Sequence, residues 1–434
     1  MTFTSTACSR HIFTALLAGF CLFIAAPQAH AAGFFIQEQS VSGLGTSFAG
    51  SAAHATDAST IFYNPAGMTQ LSGPQTTAGI SLLLPQSKMT DRGSTFGGAP
   101  IASTGNGGNP YDPSPVPSGY AAAPLSAFGF ENNHDIWVGI GVSAPYGLAS
   151  EYDDGWFGRY DSTKTELTVI DIAPSVAFKP TKWLSVGAGI DIQHASATLE
   201  NAIFAGTEGL QSLKGDDWSY GYNIGFQIQP IETTTFGLHY RSQITQELTG
   251  RINITGSTGA DANTNGGADL KLPDILAMSV AHKISPKTTL LGSATWFGWN
   301  RFDNIDPYRM DGGASPPIEQ NYQTTWAFSI GAEHALNDRW TLRAGYQFDE
   351  TPTTDEYRTS RTPDGDRNWF SAGAGYKIND KLTLDLAATY IMIDDEQINL
   401  RRNTLAPGVL PISEVNATTE GSVGIIATSL TYKF

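Results

Sequence analysis

The chain is 434 residues long, yet only 15% of them are charged and 41% hydrophobic; 46 glycines and a surplus of Thr, Ser and Asn make up the difference. That balance disfavours a helical membrane protein, which needs apolar runs of about 20 residues, and also a disordered chain, because 9 Trp, 16 Tyr and 22 Phe need burial or lipid. The formal net charge of -16 argues against nucleic acid as a partner.

Residues 1–31 read as a secretory signal peptide. Arg10 and His11 precede an apolar stretch from Ile12 to Ala26, too short to span a bilayer comfortably, and Ala29-His30-Ala31 supplies a small-x-small cleavage site. Both cysteines, Cys8 and Cys21, leave with it, so the mature chain has no disulfide, thiol nucleophile or Cys metal site. Residues 32–72 are rich in Gly, Ala and Ser and hold no clean strand. A compact segment of this size suits the lumen of a wide barrel, which would otherwise be an open channel.

From about Gln75 the polarity alternates with period two, the strand signature. In Thr235 to Gln243, Phe236, Leu238 and Tyr240 share one face, and Gly237, His239 and Arg241 the other. Ile136 to Val142, Leu184 to Ile192, Trp340 to Phe348 and Leu382 to Tyr390 alternate likewise. Six short polar turns punctuate the pattern: Glu131 to His134, Lys179 to Lys182, Pro230 to Thr233, Ile284 to Lys287, Leu336 to Arg339 and Ile378 to Lys381. Longer Gly-, Asn- and Pro-rich segments lie between them, among them Ser87 to Tyr120, Gly250 to Asp269, Phe302 to Asn321 and Glu350 to Arg367. Tight turns on one side and long loops on the other, with one further strand at each end, predict an all-β, 14-stranded antiparallel transmembrane barrel over residues 73–434, plugged by residues 32–72. Closure satisfies the backbone groups that lipid cannot. The last strand ends in Leu430, Tyr432 and Phe434 on one face, a terminal pattern that resembles the signal read by the outer-membrane assembly machinery. Trp183 and Trp340 after short turns, and Trp218, Trp326 and Trp369 near long loops, are expected in the interfacial girdles.

Candidate chemistry is sparse. There is no Gly-x-Ser-x-Gly elbow and no His-Glu-x-x-His pair, so no catalytic residue, metal site or cofactor is assigned. The loop pairs Asp153-Asp154 and Asp394-Asp395 read as solvated acidic loops, with a divalent cation shared with lipopolysaccharide as the sharper reading. Gly139, Gly141, Gly187 and Gly189 put glycine on lumen faces, where it makes room. Arg241 and Arg343 also face the lumen by strand parity; they are candidates for an acidic substrate headgroup, and equally for pairing with lumen or plug carboxylates.

Four stretches carry a family resemblance: Gly33-Phe34 at the mature start, Ser42-Gly43-Leu44-Gly45, Asn64-Pro65-Ala66, and Tyr146-Gly147-Leu148-Ala149-Ser150-Glu151-Tyr152. With the strand count they resemble the long-chain fatty acid and aromatic hydrocarbon transporters of the Gram-negative outer membrane. The resemblance implies a monomer embedded among outer-membrane lipid and lipopolysaccharide, with a hydrophobic small molecule as ligand and no enzymatic activity. It implies passive, ligand-gated diffusion in which the ligand shifts the mature N-terminus and leaves sideways through a kinked third strand. Phe34, Phe35 and Ile36 are the expected gate, and Asn64, Pro65 and Ala66 hold the plug. Pro145, Tyr146 and Gly147 mark the expected opening, since proline lacks a ladder donor and glycine admits dihedrals closed to other residues. Fatty acid and uncharged aromatic or alkane hydrocarbon both stay open as substrate. The stretches Leu199 to Phe204 and Asn321 to Trp326 offer Asn201 and Gln323 but no Lys or Arg, and the expected loop at Asn201 to Asp216 is short for an outer capture groove. A general porin and an outer-membrane lipolytic enzyme are the alternatives of other classes.

Overall fold

The computed structural model describes residues 33–131, 135–257, 261–313, 315–403 and 412–434. The expected signal peptide lies outside the described residues, as do three of the four residues of the turn Glu131 to His134. The strands are β1 (Gln75–Asp91), β2 (Ser114–Pro124), β3 (Trp137–Glu151), β4 (Lys164–Thr181), β5 (Leu184–Ala205), β6 (Thr207–Ile231), β7 (Thr234–Arg241, continuing past a break as Ile244–Thr255), β8 (Ala262–Leu272, continuing as Ile275–Ser285), β9 (Thr288–Phe297), β10 (Thr325–Ala335), β11 (Trp340–Asp349), β12 (Arg367–Lys377), β13 (Leu382–Asn403) and β14 (Ile412–Lys433). These 14 strands pair antiparallel with their chain neighbours, and β14 pairs back onto β1 with Gln75 opposite Lys433. The barrel is therefore closed, as the alternation of turns and loops requires.

Period two decides which face meets lipid. On β6, Trp218, Tyr220, Tyr222, Ile224, Phe226 and Ile228 all point outward and are exposed. Ten residues of tilted strand between Trp218 and Ile228 span about 25 Å, the height of an outer-membrane apolar band. Beyond Trp218 the same face carries Asp216 and Lys214, so β5 and β6 stand well above the bilayer. The stretch Asn201 to Asp216, expected as a loop, is this tall hairpin, turning at Gly206. Gly250 to Asp269 likewise belongs largely to paired strand, in the upper halves of β7 and β8. Asp394 and Asp395 sit not in a loop but at a bulge within β13, between Ile393 and Glu396. Trp183, Trp218 and Trp340 are exposed as girdle residues should be, whereas Trp369 is fully buried against Phe48 of the plug. Its neighbour Phe370 takes the outward position, because successive side chains must alternate.

Residues 33–74 run inside the barrel, through α1 (Val41–Leu44), α2 (Thr60–Tyr63) and a 3-10 turn at Pro65–Gln70. Most of this segment is buried. Wall glycines admit it: a Cβ at Gly139 would lie 2.7 Å from both Ile61 Cδ1 and Met68 Sδ, and one at Gly187 would collide with the backbone at Pro65 and Ala66. Small residues on the lumen face thus set how closely plug and wall approach.

Candidate functional site

Strand β3 parts from β2 halfway along its length. The β2–β3 ladder ends where Gly119 faces Val142, while β3 continues beside β4 to Glu151, across a register shift between Ser143 and Tyr146. Pro145 lies in that shift, inside the strand. Residues Ser114 to Ser118 of β2 keep only β1 as a partner. The free edge of β3 is instead occupied by residues Phe34–Ile36. The Ile36 N–H donates to Pro145 O at 2.7 Å, the Gly147 N–H donates to Phe34 O at 3.0 Å, and Phe35 and Tyr146 form an antiparallel bridge. The residues expected as gate and those expected at the opening therefore form one short ladder.

The three residues expected as the gate then diverge. Phe34 enters an aromatic cluster, with ring centroids 4.8 Å from Trp299 and 5.2 Å from Phe302, which in turn meets Tyr322 at 4.9 Å. Phe35 packs edge-on against Tyr146 at 5.3 Å, and Ile36 joins the plug core with Val41, Leu44 and Phe48. Phe34 lines an apolar cavity of ≈ 60 Å³ together with Leu148, Leu213, Leu248, Leu270 and Phe302. That is far short of the about 300–1,000 Å³ of a formed ligand pocket, so a long apolar ligand has to displace part of the lining.

One cation borders this cavity: Arg361, from the loop between β11 and β12. It is buried and, among the described residues, forms no salt bridge. Its guanidinium donates to Thr165 Oγ1 at 2.9 Å, Asp161 O at 2.7 Å and Lys164 O at 3.2 Å, while its Nε has no partner. Burial pushes the Arg361 group down to about 10, against the opposing pull of Asp161. Burial alone would raise the Asp161 carboxyl, but Arg402 and Arg361 outweigh it and hold it below the ordinary value. Asp161 accepts from the Ser360 N–H at 2.8 Å and from Arg402 Nε at 2.9 Å, tying the β3–β4 loop to the β11–β12 loop and to β13. Glu166 and Asp269 also border the cavity; Glu166 is paired with Lys164 at 3.0 Å. Reading strand faces for a cation misses Arg361, because loops have no period. The concentration of Arg358 and Arg361 in one long loop, with Arg367 at its end, was the available signal.

Arg241 and Arg343 lie elsewhere and are already occupied. Arg241 Nη1 meets Asp191 at 2.6 Å and Asp171 at 3.4 Å, and its Nη2 donates to Phe62 O in the plug. Arg343 pairs with Asp385 at 2.6 Å and with Glu333 at 2.8 Å, and Glu333 faces His54 of the plug. Both arginines sit at the plug–wall contact, the second of the two roles open to them, and neither borders the apolar cavity.

Asn64 is fully buried and its side chain makes four hydrogen bonds. Its Oδ1 accepts from the Ala66 N–H at 3.0 Å, capping the 3-10 turn that Pro65 starts, and its Nδ2 donates to Ala52 O at 2.7 Å, Phe226 O at 3.1 Å and Leu238 O at 3.4 Å. Ala66 lies where the wall has Gly187. Asn64→Ala removes a cap and leaves buried groups unpaired, at a cost of about 1–3 kcal/mol. Planar-bilayer recordings should then show raised leak of small ions in a protein that still assembles; an unchanged conductance would mean that the plug is held without Asn64.

Residues 22–434 match the family described as outer membrane protein transport protein (OMPP1/FadL/TodX). The putative outer membrane protein NMB0088 of Neisseria meningitidis is 30% identical, covering 94% of this chain and 96% of its own. The long-chain fatty acid transport protein of Escherichia coli O6:H1 is 26% identical over 88% of this chain and 92% of its own. Among solved structures, a Pseudomonas aeruginosa FadL homologue superposes with a TM-score of 0.84 at 24% identity, covering 93% of this chain and 100% of that one. The Ralstonia pickettii toluene transporter TbuX gives 0.64 at 18% identity, covering 90% and 98%.

Proposed function

The chain belongs to the FadL/TodX family of outer-membrane transport proteins, and from that premise we propose that it takes up long-chain lipophilic carboxylates by passive, ligand-gated diffusion with lateral exit between β2 and β3. One observation carries the reading. Phe34 lines the apolar cavity through its side chain and seals the free edge of β3 through its carbonyl at Gly147. A ligand that fills the cavity pushes aside the residue that closes the wall. Exit into the membrane keeps the acyl chain in apolar surroundings, worth about 0.8 kcal/mol per methylene. Arg361 favours an acidic headgroup, since a carboxylate would supply the salt bridge and the acceptor for Nε that its buried guanidinium lacks, whereas a hydrocarbon supplies neither. The similar proteins include a long-chain fatty acid transport protein and a toluene transporter. A lumen filled by residues 33–74 speaks against a general porin.

Replacing Phe34 and Phe35 together by Ser removes the side chains that couple cavity to wall. Uptake of labelled oleate should fall, about tenfold or more, because filling the cavity no longer moves the wall, with surface levels unchanged. Uptake at the wild-type rate would overturn the gate.

A further inference from the structure

Where β3 loses β2, backbone hydrogen bonds have to be replaced from another source, because neither lipid nor a dry lumen can supply them. At Pro145 and Gly147 the N-terminal segment does so with its own backbone. At Ala144 the replacement is a side chain. The carboxamide of Gln39 donates from Nε2 to Ala144 O at 2.8 Å and accepts from the Ala144 N–H at Oε1 at 3.1 Å, the two bonds that an antiparallel strand partner would make. Its second amide hydrogen goes to Ile36 O at 3.2 Å. The main chain of the same residue reaches the opposite side of the gap: Gln39 O accepts from the Tyr120 hydroxyl of β2 at 3.0 Å, and Glu38 O accepts from Ser81 Oγ of β1 at 3.1 Å. Gln39 is fully buried.

We infer that Gln39 is the latch of the lateral opening, a positioning residue whose carboxamide stands in for the missing β2 backbone and joins both lips of the gap. The inference rests on the lateral-exit reading above and adds to it the group that decides how readily the wall opens. Displacing Phe34–Ile36 withdraws Gln39, because the two are joined through Ile36 O. Ala144 then loses both partners at once, so opening is a discrete step rather than a gradual widening. A chain without the latch opens at lower cost, so its apparent affinity for a ligand that must open the gap rises.

The test uses the full-length protein purified in detergent and reconstituted, with oleate as ligand. Hydrogen exchange at the Ala144 amide should be slow in the unliganded wild type and at least about tenfold faster with oleate bound. In Gln39→Leu, which keeps the volume but has no donor or acceptor, that amide should exchange fast with or without oleate, and apparent oleate affinity should rise about tenfold. In Gln39→Glu the Ala144 N–H keeps an acceptor but Ala144 O and Ile36 O lose their donor, so affinity should rise while exchange is only partly released. Assembly is read separately from heat-modifiable migration on gels. If the Gln39→Leu barrel assembles yet shows wild-type exchange at Ala144 and wild-type affinity, the latch is overturned. If instead a covalent clamp of the N-terminal segment to β3 leaves transport intact, it is the lateral-exit reading that has failed.

Discussion

A Phe35→Cys, Tyr146→Cys protein should take up no labelled oleate when oxidised, and should recover the rate of its single-cysteine controls once reduced. The two positions face each other as an antiparallel bridge between the N-terminal segment and β3. Directly opposed residues in such a pair have Cα atoms about 4.5–5.5 Å apart, within the range that a disulfide spans. The only native cysteines are Cys8 and Cys21, both in the expected signal peptide, so the engineered pair has no competitor. A disulfide here staples shut the ladder formed by Phe34 O, Ile36 N and the β3 edge, and with it the gap beside β2. Oxidation should leave barrel assembly unaltered, because the bond joins residues already in contact, with rings 5.3 Å apart. Each single-cysteine protein serves as the control for lost side-chain packing. Full uptake by a quantitatively oxidised double mutant would show that the N-terminal segment need not leave β3, and the lateral route would fall.

Arg361→Leu should separate the two substrate classes that the family's names leave side by side. For a long-chain carboxylate, loss of a charge-assisted partner is worth about 1.5–3 kcal/mol, so affinity should drop by about 10–100-fold. For toluene or an alkane the affinity should change by no more than about twofold, because the apolar lining is untouched. Arg361→Lys, which keeps the charge but not the planar fork, should fall between. The hydrocarbon arm also guards against a trivial cause. Arg361 ties its loop to Asp161 O and Lys164 O, so collapse of that loop would damage binding of both ligands equally. Equal losses would make Arg361 purely structural. The pH dependence follows from the same group. A guanidinium pushed down to about 10 by burial stays charged through neutrality. Carboxylate binding should therefore hold across pH 6 to 9, in round figures, with no step that reports a titrating cation.

Much of the architecture is legible from the chain itself, because lipid imposes a strict rule. A strand crossing the apolar band must present alternate residues to it, so Phe236 and Leu238 face out and His239 and Arg241 face in, as their spacing says. The rule lapses where it has no cause. Above the band the outward face meets water, apolar alternation is no longer needed, and Gly250 to Asp269 and Asn201 to Asp216 look like loops although they are paired strands. Inside the lumen neither face has a fixed partner, and Trp369, placed in a girdle by its position in the chain, belongs to the plug core instead. Local sequence also determines that Pro145 disturbs β3, since proline removes a donor wherever it stands, whereas Gly147 keeps ordinary pairing with Thr168 of β4. What replaces the lost bonds is a matter of tertiary structure alone. Phe35 meets Tyr146, 111 positions away, and Gln39 meets Ala144 at a separation of 105. Arg361 comes to border a cavity whose other walls are drawn from six different strands, the β9–β10 loop and Phe34 of the N-terminal segment. No periodicity encodes those meetings. They arise because a closed wall brings distant strands round one lumen, and because each buried polar group there must find its partner among whatever the plug presents.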